Sequence, residues 1–267
     1  MLFQEKLIKD VTKACQIDCS IASAMMYGSF TKGEGDEHSD VEFYILINND
    51  RFKTFNSNDW IVNLYATDLI YYNEQGTLVA IFSNLVRGEF HFLPQSEMNI
   101  IKAFKQTGSF PKAEQMFIYD ETDQLYDFLE ELSGEGPNWK TNDHVNFAFH
   151  NFVNQWIFGV NVLKRGEYAR SLEILSHVQQ DVLKLLRIHE NSVERWINAT
   201  KNLEHDLSER SYENYKQTTA SLNRESLVSA YNHALRLAKR LHFDLLRSYD
   251  VHLHQDTLMK MHAHLGE

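Results

Sequence analysis

The prolines of this chain stop at position 137. Pro94, Pro111 and Pro137 are the only three, and of the 11 glycines only Gly159, Gly166 and Gly266 come later. Proline removes a backbone donor and glycine adds backbone freedom, so both punctuate sheets and loops and are kept out of helix interiors. A chain that uses them freely and then abandons them changes architecture at that point. The stretch Ser133–Trp139, SGEGPNW, has the turn residues of a linker. We therefore read two domains, residues 1–135 and 136–267, each long enough to bury a core.

Before the linker, helix and strand patterns alternate. Residues 2–15 have helical periodicity. IASAMMY reads as a strand ending at Gly28, and DVEFYILI as a second, rich in β-branched and aromatic residues. DLIYYNEQGTLVAIFS predicts two strands about a Glu74–Thr77 turn, RGEFHFL a further strand, and SEMNIIKAF a helix with Ser96 near its N-cap. MFIYD closes the sheet, and ETDQLYDFLEEL is helical. After the linker only helices are predicted, over about 141–163, 167–188, 192–207, 224–248 and 254–265. The apolar spacing of three and four through Leu172, Leu175, Val178, Val182 and Leu186 suits a bundle packed on itself. The fold class is α+β: a mixed sheet, then a helical bundle.

The chemistry concentrates in MMYGSFTKGEGDEHSDVEFYILI, Met25 to Ile47. Strand side chains alternate faces, so Asp40, Glu42 and Tyr44 share one and Val41, Phe43 and Ile45 the other. Two like charges on one face are costly unless a cation lies between them. At strand rise the Cα atoms of Asp40 and Glu42 stand roughly 6.5–7 Å apart, close enough for both carboxylates to converge on hard cations. Magnesium is the natural choice, because it keeps waters and bridges to phosphate oxygens. Gly28 lets backbone approach a ligand without Cβ interference, and Ser29 and the following amides can donate to a phosphate. Lys32 adds a positive charge, and Ser39 adjoins the acids. Either feature alone is bland, a tight turn or a solvated strand edge; their combination at this spacing is specific.

Gly28-Ser29, a spacer, then Ser39-Asp40-Val41-Glu42 opening a hydrophobic strand resembles the nucleotidyltransferase signature of the polymerase-beta superfamily. The runs MMYGSFTKGEGDEHSDVEFYI, RGEFHF, YDETDQL and LKRGEYARSLE are similar to lincosamide nucleotidyltransferases, which are antibiotic-resistance enzymes. This resemblance spans nearly the whole chain. It implies an N-terminal nucleotidyltransferase domain and a helical domain that contributes to substrate and phosphate binding, with the active site between them. It also implies a third acid on a neighbouring strand, for which RGEFHF offers Glu89, with His91 on the same face as a substrate contact. Glu89 is then a general base near the acceptor hydroxyl, a metal ligand, or both. Asp40, Glu42 and Glu89 would hold two Mg2+ ions, and Gly28, Ser29, Lys32 and Ser39 the nucleotide. Lys164 and Arg170 cluster with Arg165 around Gly166 in an otherwise acidic chain and would neutralise the leaving pyrophosphate. The implied donor is ATP or another nucleoside triphosphate, and the acceptor a lincosamide hydroxyl. An aminoglycoside or a macromolecular acceptor is the alternative, and a homodimer is possible.

Charge balance narrows the partners. With 26 basic and 37 acidic residues the net charge is −11, which disfavours a polynucleotide and suits a small cationic acceptor. No signal-peptide pattern and no run of about 18 apolar residues is present, so a cytoplasmic protein without a membrane span is expected. Cys15 and Cys19, four apart, would share one face of a helix and read as two reduced, half-buried thiols. His252, His254, His262 and His264 flank a helical pattern, where positions two apart do not converge on a metal.

Overall fold

The computed structural model describes residues 1–266. It divides into two compact units, Met1–Pro137 and Asn138–Glu267. In the first, helix α1 (Phe3–Ile17) leads into β1 (Ile21–Tyr27) and β2 (Val41–Ile47); α2 (Ser57–Leu64) precedes β3 (Thr67–Tyr72), β4 (Leu78–Phe82) and β5 (Arg87–Pro94). Two one-turn helices, α3 (Ile100–Ala103) and α4 (Ala113–Met116), then β6 (Phe117–Asp120) and α5 (Leu125–Leu132), complete it. The six strands lie in the order β3-β4-β5-β2-β1-β6. β2 and β5 run parallel; the other neighbours are antiparallel.

Strand alternation gives this sheet two buried faces. On one, Val41, Phe43, Ile45 and Ile47 of β2 pack with Leu7, Val11 and Cys15 of α1 and Trp60 and Ile61 of α2. On the other, Met25 and Leu46 pack under Met98, Ile101, Met116, Leu125, Leu129 and Leu132. That second cover reaches only part of the face. At the end where β2 and β5 begin, the same face carries polar side chains.

The second unit contains helices α6 (Asn142–Lys164), α7 (Tyr168–His189), α8 (Leu203–Asp206), α9 (Glu209–Lys216), α10 (Arg224–Leu245) and α11 (Gln255–Gly266). Its core is one continuous cluster that includes Phe149, Phe152, Trp156, Val178, Val182, Leu186, Tyr231, Ala234 and Leu241. Thr141 and Asn223 cap α6 and α10 by accepting from the amides of His144 and Ser226. The α+β class is as the sequence indicates: a mixed sheet followed by helices. Among the described residues no helix is long and apolar enough to cross a membrane.

Several elements differ from expectation. Residues 192–207 are not a continuous helix; only Leu203–Asp206 is helical there, and α9 follows where no helix was predicted. The cause is Arg187. Its guanidinium is fully buried and donates to the carbonyls of Ser192, Ala199 and Lys201 and to the Asp206 carboxylate. Those carbonyls are thereby committed to a side chain, and Asn191 and Asn202 take left-handed backbone (φ 58° and 56°) at the bends. Ser96 lies within a short 3₁₀ turn, Gln95–Glu97, and its amide donates to Asn49, so it caps no helix. Helix α2 has an Asn56 cap that the sequence reading passed over. Helix α1 ends at Ile17, which separates the cysteines: Cys15 is buried in the core and Cys19 is exposed beyond the helix.

Candidate active site

The register of β1, β2 and β5 builds the site. Tyr27 pairs with Glu42 across β1–β2, and Glu42 pairs with Glu89 across β2–β5. Cα partners in a sheet point to the same face, so these three side chains form one row. The next row is Met25, Tyr44 and His91. Val41 pairs with Gly88, which sets Asp40 beside Arg87 one residue earlier. The sheet thus gathers Asp40, Glu42 and Glu89, three of the residues singled out above, onto one face, where α1 and α2 do not cover them.

Gly28 ends β1 with φ +84°, a left-handed conformation. A Cβ built on it would fall inside the Glu42 carboxylate, with Cδ of Glu42 only 2.6 Å away. Both facts demand glycine: the bend needs the left-handed region, and the Glu42 carboxylate occupies the space a methyl group would take. Ser29 follows, and its carbonyl accepts from the amides of Lys32 (3.1 Å) and Glu34 (3.0 Å). Thr31 Oγ1 donates to the Gly28 carbonyl at 2.8 Å, and Gly33 closes the turn at φ 71°. Lys32 lies exposed on this turn. Ser39 belongs to a second turn: its hydroxyl donates to Asp36 Oδ1 at 2.8 Å and accepts from the Asp36 amide at 3.1 Å. The Ser39 hydrogen bond, with the His38 amide, holds the Asp36 carboxyl below its usual range. Buried Gln4 of α1 donates to the carbonyls of Glu37 and Ser39, which ties this loop to the first helix.

Arg87 is the positive group between the acids. Its Nη1 donates to Asp40 Oδ2 at 2.6 Å and its Nη2 to Glu89 Oε1. Burial opposes the charge on Arg87, but Glu89 and Asp40 more than restore it, and the pKa is raised. On the other side of Glu89, the Tyr27 hydroxyl lies 3.4 Å from Glu89 Oε2 and 3.0 Å from His91 Nε2. The Tyr44 ring stacks on His91 with centroids 4.1 Å apart and planes within 7°. Burial pushes the His91 pKa down, against a smaller upward pull from Glu89, so the ring is neutral at physiological pH. Burial and the nearby Glu42, Tyr44 and Glu89 push the Tyr27 pKa up, so the phenol keeps its proton. Beside Asp40 and Arg87 opens a cavity of about 510 Å³ whose walls also include His38, Ser39 and Asn84.

These groups suit a hard divalent cation in chemistry. The donors are carboxylate oxygens, and a guanidinium already satisfies two of them as a cation would. They are not assembled as a finished cage: among the described residues no three histidine, cysteine or acidic side chains converge on one point. Asp40 and Glu89 are turned to Arg87, and Glu42 lies against Gly28. Lys164 and Arg170 belong to the helical unit. Lys164 is exposed at the end of α6, and Arg170 lies over the Phe158 ring and pairs with Glu167 at 3.4 Å.

Sequence reasoning missed Arg87 and Tyr27, and placed Tyr44 on the acidic face without giving it a role. Parity puts Arg87 on the Glu89 face, two residues earlier on one strand, but its pairing with Asp40 needed the β2–β5 register. Tyr27 needed the β1–β2 register.

A mixed sheet that carries this Gly-Ser turn and these acids, followed by a helical unit, makes an α+β fold. Residues 141–264 match the family described as lincosamide nucleotidyltransferase-like, C-terminal domain. That match lies within the helical unit. No curated protein matches the chain. Among solved structures, an aminoglycoside 6-adenyltransferase from Bacillus subtilis aligns with 11% identity and a TM-score of 0.44 over 98% of this chain and 96% of that one. A nucleotidyltransferase-like protein from Exiguobacterium sibiricum aligns with 14% identity and a TM-score of 0.38 over 98% and 88%.

Proposed function

We propose that this protein transfers a nucleoside monophosphate from ATP, or another nucleoside triphosphate, to a hydroxyl of a lincosamide antibiotic, releases pyrophosphate and so confers resistance. One observation carries the reading: adjacent parallel strands set Glu42 opposite Glu89 and Asp40 beside Arg87, on a face flanked by the Gly28-Ser29 turn. The family of the helical unit supports the lincosamide as acceptor.

In this reading Asp40 and Glu42 hold Mg2+, with Glu89 as a further ligand or as the base. The metal, when bound, neutralises phosphate charge and orients the triphosphate. The Gly28-Ser29 turn, Lys32 and Ser39 receive the phosphates, where backbone without a Cβ permits close approach. Glu89 accepts the proton of the acceptor hydroxyl. That oxygen attacks the α-phosphorus, the bond from the α-phosphorus to the β-bridging oxygen breaks, and the electron pair leaves with pyrophosphate. Tyr27, held protonated, donates to the far oxygen of Glu89 and keeps the carboxylate oriented, and neutral His91 in turn positions the Tyr27 hydroxyl. Lys164 and Arg170 are proposed as phosphate ligands on their charge.

Mass spectrometry of lincomycin and clindamycin incubated with protein, ATP and Mg2+ tests the reading. The expected product gains one nucleoside monophosphate, and Asp40→Asn lowers its rate by roughly 10²-fold or more while leaving the circular dichroism unchanged. An unmodified lincosamide beside a modified aminoglycoside would overturn the acceptor. Full activity in Asp40→Asn would overturn the metal.

A further inference from the structure

Arg87 is placed where the proposed metal would compete for ligands. It rises from β5 on the Glu89 face and reaches across to Asp40, so one guanidinium satisfies two carboxylates. A hard cation needs those oxygens too, and it cannot hold Asp40 fully while Arg87 does. A guanidinium evicted from this position has somewhere to go: Arg87 is 40% exposed and lines the 510 Å³ cavity. Its fork of donors suits a phosphate as well as a carboxylate. A metal–triphosphate complex therefore offers both halves of an exchange. The metal takes the carboxylates from the arginine, and the phosphates take the arginine.

We propose that Arg87 is a place-holding cation that couples metal binding to nucleotide binding, occupying Asp40 and Glu89 in the nucleotide-free protein and passing to the triphosphate when the metal–nucleotide complex arrives. The inference rests on the transferase reading and adds its regulation: free metal is held off, and metal that arrives with a nucleoside triphosphate is accepted. Removing the guanidinium frees the carboxylates for metal alone and takes a ligand from the triphosphate, so the two affinities move in opposite directions.

The test is a pair of binding measurements. Mn2+ alone is titrated with unbound Mn2+ read by electron paramagnetic resonance. Mn2+ with α,β-methylene-ATP, which cannot be cleaved at the reacting bond, is titrated by calorimetry. In Arg87→Ala, and in the longer Arg87→Met should the alanine variant lose its fold, Mn2+ alone binds about tenfold more tightly than to wild type. The metal–analogue complex binds about tenfold more weakly. A structural role would move both the same way. Weakening of both, or no change in either, overturns the proposal while leaving the transferase reading in place. Failure of the wild-type protein to bind Mn2+ with or without the analogue overturns both.

Discussion

Gly28 and Glu42 compete for the same space, and that competition is measurable without any assay of activity. In Gly28→Ala the new Cβ lands in the Glu42 carboxylate, and the backbone sits at φ +84°. Left-handed backbone costs a non-glycine residue about 1–2 kcal/mol. Expelling the carboxylate from its packed position adds an overpacking cost of about 1–3 kcal/mol, so the single variant loses about 2–5 kcal/mol. Glu42→Ala removes the obstacle and leaves the backbone strain. In that background Gly28→Ala should cost only the 1–2 kcal/mol of the left-handed residue. The double-mutant cycle, measured by urea denaturation of the four proteins, should therefore show a coupling of about 1–3 kcal/mol, well above the 0.3–0.5 kcal/mol within which distant sites add. Additivity would mean that the Glu42 carboxylate does not rest on Gly28, and the argument that the turn and the acid are built as one unit would fail. In a unit of this size each kcal/mol moves Tm by about 4 °C, so a thermal scan reports the same result.

Three more outcomes follow from other parts of the molecule. Arg187→Met leaves the carbonyls of Ser192, Ala199 and Lys201 without this donor, whereas Asp206 keeps Arg195 and Asn202; at about 1–3 kcal/mol for each unsatisfied buried group it should cost about 3 kcal/mol or more in urea unfolding, and a loss under about 1 kcal/mol would refute the account of the 192–207 segment. Gly159→Ala, in the middle of α6, gains helix propensity of about 1 kcal/mol but drives a Cβ into the Tyr231 hydroxyl, which donates to the Ser171 carbonyl at 2.8 Å. It should destabilise by about 1–3 kcal/mol, and a neutral or stabilised variant would contradict the packing. Burial raises the Asp181 carboxyl from its ordinary 3.8 to about 6, against a smaller downward pull from Lys184. The stability it contributes is therefore present below pH 3.8 and lost as pH rises to about 6. Asp181→Asn should gain up to about 3 kcal/mol at pH 7–8, and that gain should vanish by pH 4; a gain independent of pH would refute it.

How much of this molecule can be read from its residues depends on the range of the cause. Strand parity is local, so the split of β2 into a core face and an acidic face, and the Gly28 turn before it, were legible directly. Apolar spacing is nearly as local, and it placed α6, α7, α10 and α11 within a few residues. The errors lie where a side chain acts across sequence distance. The stretch 192–207 has helix-compatible residues, but Arg187, whose position in α7 resembles an ordinary helix charge, captures its carbonyls from five to fourteen residues away. Arg87 is the same kind of case at the active site. Inside RGEFHF it is one more charge on a strand, and its meaning comes only from the parallel pairing of β5 with β2, which brings Asp40 beside it. Periodicity reports which face of an element is buried, whereas the partner of a polar group is fixed by tertiary register. A cluster of acids in a sequence therefore implies a cation without saying which one. Here a cation between two of the acids belongs to the chain itself: Arg87, donating to both Asp40 and Glu89.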